Sequence, residues 1–182
     1  MKNLKTNESA EESVKILLIG LDNSGKTSIL SCLKGIKGIS AFNSPKPTKG
    51  LDVQQFEALH SKYAIWDFGG QQAYLDDYFN DFNNFIKGAN KIIYVIDIQD
   101  VKRYELALEY LKKVMNSIDK KNNIDFSVFL HKFDPDLVFN HNLNEKVINN
   151  FIKKIKETIP QEFIYSIFKT TIYAIFEKSS IS

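Results

Sequence analysis

Gly20-Leu21-Asp22-Asn23-Ser24-Gly25-Lys26-Thr27 is the stretch on which the reading of this chain turns. It fits the pattern G-x-x-x-x-G-K-[ST], and its surroundings matter as much as its letters. Before it, Val14 to Ile19 is a short, mostly apolar run that ends at Gly20, as a buried strand does. After it, Lys26 to Leu33 carries Ile29, Leu30 and Leu33 at helical spacing. A glycine-rich turn between strand and helix lets the backbone wrap around phosphate oxygens. Amides at the helix start point into the loop, and the helix dipole favours negative charge there. Asp22, Asn23, Ser24, Gly25 and Ser28 then belong to the nucleotide-binding set. Lys26 reaches the β- and γ-phosphates, and the Thr27 hydroxyl is a ligand of Mg²⁺. The loop alone does not choose between ATP and GTP, or among a kinase, a motor and a switch.

Outward from the loop, strands alternate with helices. Lys34 to Gly50 holds glycines, prolines and Ser/Asn residues and reads as a loop. Leu51–Leu59 and Lys62–Asp67, joined across His60-Ser61, read as a hairpin. Further strands are expected at Lys91–Ile96, Phe126–Leu130 and Glu162–Tyr165. Helices are expected near Leu75–Phe85, at Val101–Ser117 and at Leu143–Ile159, with Pro160 ending the last of these. A final helix is expected to begin near Lys169. The pattern predicts an α/β fold of the P-loop NTPase type. Its sheet is six-stranded and mostly parallel, with helices on both faces and one antiparallel edge hairpin. Residues 1–13 are expected to be a polar, mobile leading segment and residues 14–182 a single domain. The apolar face begun by Ile172, Ile175 and Phe176 is cut short at Ser182, so a truncated chain or a short variant is expected.

Composition narrows the class. Basic and acidic residues number 24 and 22, so bulk charge gives no footprint for nucleic acid. A lone cysteine, Cys32, excludes an internal disulfide and suits a reducing, cytoplasmic setting. No apolar run approaches the roughly 20 residues of a membrane span. Lys2 excludes N-myristoylation at the second position, so no intrinsic membrane anchor is visible; attachment to a membrane would run through partners.

Three further clusters carry chemistry. Trp66-Asp67-Phe68-Gly69-Gly70-Gln71 ends the hairpin's second strand. Asp67 can hold Mg²⁺ through a water, Gly70 can approach a γ-phosphate, and Gln71 is placed to orient an attacking water. In Pro47-Thr48-Lys49-Gly50, Thr48 can close the Mg²⁺ shell when GTP is present. In His131-Lys132-Phe133-Asp134, the Asp134 carboxylate can accept from guanine N1–H and the exocyclic amine together, and the Lys132 stem can lie over the base. Adenine offers no matching donor pair. Ser166 and Ile167, after the last expected strand, could present backbone amides to the guanine oxygen, although an ordinary strand-to-helix turn explains them as well.

With these motifs in order, residues 14–173 resemble the small GTPases. The phosphate loop, Pro47-Thr48 and Trp66 to Gln71 resemble the Arf family. His131-Lys132-Phe133-Asp134, Ser166-Ile167-Phe168, Thr171-Ile172-Tyr173 and the long Lys34–Thr48 loop resemble the Rag/Gtr group instead. The resemblance implies a molecular switch that cycles between GTP and GDP with Mg²⁺, served by an exchange factor, an activating protein and effectors. Rag-type proteins also carry a C-terminal dimerisation domain, which a longer parent chain would share, making a dimer.

The implied reaction is hydrolysis of GTP to GDP and phosphate, with Gln71 orienting the water. Arg103, the only arginine, lies in sequence well outside the switch motifs. An arginine supplied to the transition state contributes about 10³–10⁵ in rate. Intrinsic hydrolysis is therefore expected to be slow, with an activating partner supplying the arginine. A GTP- or GDP-holding adaptor with little turnover is the second reading, and a nucleotide kinase the third.

Overall fold

Side chains alternate across each strand of the sheet, and this alternation builds two cores. Leu17 and Ile19 project with Ile92, Tyr94, Ile96, Phe126, Val128 and Leu130 to one face. Leu18, Ile65, Ile93 and Val95 project to the other. Strands buried on both faces read as continuous apolar runs, which is why Lys91–Ile96 carries so little polar character.

The computed structural model describes residues 13–33, 48–58, 61–69, 80–119, 124–139 and 143–172. The chain runs β1 (Ser13–Ile19), α1 (Lys26–Leu33), β2 (Leu51–Ala58), β3 (Ser61–Phe68), α2 (Phe82–Ile86), β4 (Lys91–Asp97), α3 (Tyr104–Ser117), β5 (Asp125–His131), α4 (Glu145–Thr158) and β6 (Tyr165–Lys169). The strand order is β2-β3-β1-β4-β5-β6. Every neighbouring pair is parallel except β2 and β3. The expected sheet is therefore present. Helix α1 covers the second core through Ile29 and Leu30. Helices α2, α3 and α4 cover the first. Tyr104 of α3 stacks on Phe151 of α4 at 3.6 Å between ring centroids, joining those two helices. Asn144 caps α4 by accepting from Val147 N at 3.0 Å.

Most boundaries among the described residues lie within a residue or two of expectation, and two differ by three residues or more. The helix expected from Val101 starts as a 3₁₀ turn, Val101–Arg103, before α3. The last strand is shifted forward. Phe163 N donates to Pro160 O at 3.0 Å in a turn, and Ile164 is 93% exposed, so residues 162–164 do not join the sheet. Pairing with β5 starts at Tyr165, opposite Phe126, and ends at Lys169, opposite Leu130. Lys169 is thus strand rather than the start of a helix. Residues 173–182, where a last helix would continue, lie outside the described residues.

The order places the C-terminal ends of β3, β1, β4, β5 and β6 along one edge. The connection leaving β1 runs toward β2 and the one leaving β4 runs the opposite way toward β5, and such a reversal is where open α/β sheets bind ligands.

Candidate nucleotide and magnesium site

The phosphate loop leaves β1 through Gly20, whose φ of +151° and 2.2 Å gap from a built Cβ to Val95 O admit only glycine. Lys26 is buried, and its ammonium donates to Gly20 O at 2.9 Å and Leu21 O at 2.7 Å. An ammonium has three donors. Two of them shape the loop, and one is left to meet a phosphate. Burial lowers the Lys26 pKa to about 8, against the opposing pull of Asp67 and Asp22; the Arg103 charge lowers it further. Ser24 is buried and Ser28 half-buried on the first turn of α1.

Beside this loop the first helix, the Thr48 segment and β3 meet. Thr27 Oγ1 donates to Asp67 Oδ2 at 2.7 Å, Thr48 Oγ1 donates to the same oxygen at 3.2 Å, and the two hydroxyls lie 3.1 Å apart. Asp67 is fully buried. Burial raises its pKa, opposed by hydrogen bonding from Thr27, by the Lys26 charge and by Thr48. Its other oxygen, Oδ1, is one of three buried side-chain polar atoms without a hydrogen-bond partner among the described residues; Ser24 Oγ is another. Such orphans are costly unless a ligand or water meets them. Two hydroxyls and a carboxylate with an unused buried oxygen form an all-oxygen donor set, which fits Mg²⁺ better than a softer metal. Gly69 makes the approach possible: a Cβ there would lie 2.5 Å from Thr48 O, and its N–H donates to Gly50 O at 2.9 Å.

At the other end, the loop after β5 is held from several sides. His131 is buried, its Nδ1 lies 3.0 Å from Thr170 Oγ1, and its ring faces Gly25 so closely that a Cβ on Gly25 would lie 2.4 Å from Cδ2. In this position the histidine braces the phosphate loop. Burial, then the Lys132 charge, depress its pKa, against Asp134 and Asp97, so the ring is neutral at pH 7. Lys132 has a left-handed φ of 59° and sends its ammonium to Asn23 O and Asp97 Oδ2, each at 2.7 Å. Asp134 Oδ2 accepts from Gln99 Nε2 at 2.8 Å, and Oδ1 accepts from the Thr171 hydroxyl. An ionised carboxylate has about four acceptor positions, so two remain for a pair of donors on a base.

A family model described as the ADP-ribosylation factor family, Arf, matches residues 1–173. The chain belongs to the Arf family. It is 35% identical over 133 residues to ADP-ribosylation factor-like protein 2 of Dictyostelium discoideum, a match covering 73% of this chain and 67% of that protein. It is 33% identical over 112 residues to ADP-ribosylation factor-like protein alp41 of Schizosaccharomyces pombe, covering 62% of this chain and 56% of the other. Among solved structures, the Arl6 BBS3 small GTPase of Trypanosoma brucei, with the bound nucleotide analogue GppNp, superposes with a TM-score of 0.59 over 87% of each chain. At 18% identity that likeness speaks for the fold. The chain is thus a small Ras-like GTPase of Arf type.

Within this Arf-type fold, Asp22 to Thr27, Thr48, Asp67, His131, Lys132 and Asp134 gather along one edge of the sheet. Gly70 and Gln71 lie outside the described residues. Ser166 and Ile167 do not follow the last strand. They lie inside β6, opposite Ser127 and Val128, because the turn at Pro160 delays the strand. The segment that leaves β6 toward the site is Thr170-Thr171. Thr170 N donates to Leu130 O and Phe133 N donates to Thr170 O, both at 3.0 Å. Arg103, distant in sequence, is also at the site: its Nη1 donates to Asp22 Oδ1 at 2.6 Å and its Nη2 to Asp22 O at 3.1 Å. Its neighbour Gln99 was equally invisible to motif reading. The available signal was position, since both follow β4, a buried strand whose end borders β1.

Proposed function

We propose that this chain is a GTP-binding switch that hydrolyses GTP to GDP slowly on its own and binds effectors in a nucleotide-dependent way. The observation that carries the reading is the meeting of Thr27, Thr48 and Asp67 within 3.2 Å. Thr27 comes from the phosphate loop and Thr48 from a segment 21 residues later. A kinase or a static nucleotide holder has no need to bring such a threonine to the phosphate-loop hydroxyl.

Thr27 and Thr48 would hold Mg²⁺ directly and Asp67 through a water, and the ion when bound neutralises phosphate charge. Lys26 holds the β- and γ-phosphates, and amides of Asn23 to Ser28 line the oxygens. Gln71 orients the water. The Asp134 carboxylate selects guanine, and the amide of Thr171, in place of those of Ser166 and Ile167, would face the base, since Thr170 N–H is already held by Leu130 O. When the γ-phosphate leaves, Thr48 and Gly70 lose a partner and their segments relax. Because Gly69 N is bonded to Gly50 O, the two segments move as a coupled pair. An activating protein would supply the arginine, and an exchange factor would release GDP. The His131 tetrad supports a Rag-like element in an Arf-type chain. Cytoplasmic placement, with membrane contact through partners, follows from the same reading.

The test is the nucleotide content of purified protein, its turnover of GTP, and competition of GTP against ATP. Bound GDP or GTP, slow single-turnover hydrolysis and exclusion of ATP are expected. A chain that binds ATP as well as GTP, or that binds GTP without ever cleaving it, refutes the reading.

A further inference from the structure

Asp22 is the third residue of the phosphate loop, and a carboxylate is a poor neighbour for phosphates. The only arginine of the chain is spent on it. Arg103 binds Asp22 twice, through the carboxylate at 2.6 Å and the main-chain carbonyl at 3.1 Å. Its Nε donates to Asp100 as well. This uses all three guanidinium nitrogens and the planar fork that lysine lacks. The backbone under Arg103 is fixed on both sides. Arg103 N donates to Asp100 O at 3.0 Å, and the next residue, Tyr104, is buried and stacked on Phe151. Both charges are felt at the phosphate-binding ammonium: Asp22 raises the Lys26 pKa and Arg103 lowers it. Burial alone would depress the Arg103 pKa, but its bonds to Asp100 and Asp22 and their charges hold it above its ordinary value.

We infer that Arg103 is a positioning residue of the phosphate loop: by clasping Asp22 on both side chain and main chain it cancels the one acid of the loop and keeps it from repelling the nucleotide's terminal phosphate. The inference rests on the nucleotide reading above. It separates Arg103 from a catalytic finger, which would have to abandon two carboxylates to reach a reacting phosphate.

The test is a double-mutant cycle on fluorescent GDP and a non-hydrolysable GTP analogue, with Mg²⁺ present. Arg103→Gln is expected to weaken GTP-analogue binding about tenfold, and GDP binding less, because the analogue carries the greater charge. Asp22→Asn alone is expected to tighten the analogue, and in the Arg103→Gln background to restore its affinity to within about twofold of Asp22→Asn alone. A purely structural arginine would move GDP and the analogue equally, and Asp22→Asn would not rescue it. A finger would lose hydrolysis rate with affinity intact. Either result overturns the proposal, as does Arg103→Gln binding like the natural chain, or Asp22→Asn weakening the analogue. Should Arg103→Gln fail to fold, the single Asp22→Asn measurement still decides the sign. If the natural chain binds neither nucleotide, the switch reading itself falls; if it binds both and the cycle is flat, only this inference falls.

Discussion

Gly25→Ala is a perturbation whose size can be worked from the contact between the phosphate loop and His131. Gly25 has φ of +94°, a region that L side chains rarely adopt, which costs about 1–3 kcal/mol. A Cβ there would lie 2.4 Å from His131 Cδ2 and 2.8 Å from Nε2. Ordinary contact begins near 3.4 Å, so the ring would have to withdraw by about 1 Å. It is poorly placed to do so. His131 is buried, Nδ1 is held by Thr170 Oγ1, and His131 O accepts from Ile98 N at 3.0 Å. Overpacking of this kind costs about 1–3 kcal/mol. The two effects together give a loss of about 2–6 kcal/mol, a large part of the stability of an ordinary domain. Urea unfolding without nucleotide measures it. The double variant Gly25→Ala/His131→Ala separates the two parts: removing the ring relieves the clash but leaves the backbone strain. It should be about 1–3 kcal/mol more stable than the sum of the single losses requires. A Gly25→Ala loss under about 0.5 kcal/mol, or strict additivity in the double variant, would refute the reasoning.

Lys26→Met removes a buried ammonium whose desolvation is the largest influence on it. The nucleotide-free melting temperature should hold or rise, while the rise in melting temperature on adding GDP and Mg²⁺ disappears. Thr48→Ala should weaken Mg²⁺-dependent binding of a GTP analogue by about tenfold and barely affect GDP, read by titration with and without a chelator. His131 gives a pH dependence with a definite sign. Its folded pKa lies below its unfolded one, so the unfolded chain binds the extra proton first, and stability falls as pH drops below about 6.5. His131→Asn does not titrate, and unfolding followed from pH 7.5 to 5 should lose that part of the slope, up to about 1.4 kcal/mol per pH unit.

Local signals were legible in the sequence wherever one interaction dominates. The phosphate loop announced itself because only glycine can occupy Gly20 under Val95 O and Gly25 against His131. Strands β1, β4 and β5 were legible from apolar runs that both cores demand. The hairpin was legible because Leu51 to Ala58 and Ser61 to Phe68 need only a short turn between them. The end of the chain was less so. Ser166 and Ile167 looked like residues after a strand because a turn at Pro160 moves the whole strand along, and one hydrogen bond from Phe163 N decides it. No periodicity records such a bond. Arg103 was placed far from the phosphates because 81 residues separate it from Asp22, and motif spacing says nothing about which strand ends become neighbours.

Strand order converts that distance into a mechanical link between the two ends of the nucleotide site. The segment from Asp97 to Arg103 follows β4, which lies between β1 and β5. It therefore borders the phosphate loop on one side and the base loop on the other. Arg103 holds Asp22, Asp97 holds the Lys132 ammonium, and Gln99 donates to both Lys132 O and Asp134 Oδ2. Lys132 closes the circuit by donating to Asn23 O within the phosphate loop. Within this circuit Asp22 is paired with Arg103 and Asp97 with Lys132, and Arg103 also binds Asp100. On the proposed reading, the base loop and the phosphate loop are therefore tied to each other through the turn that follows β4.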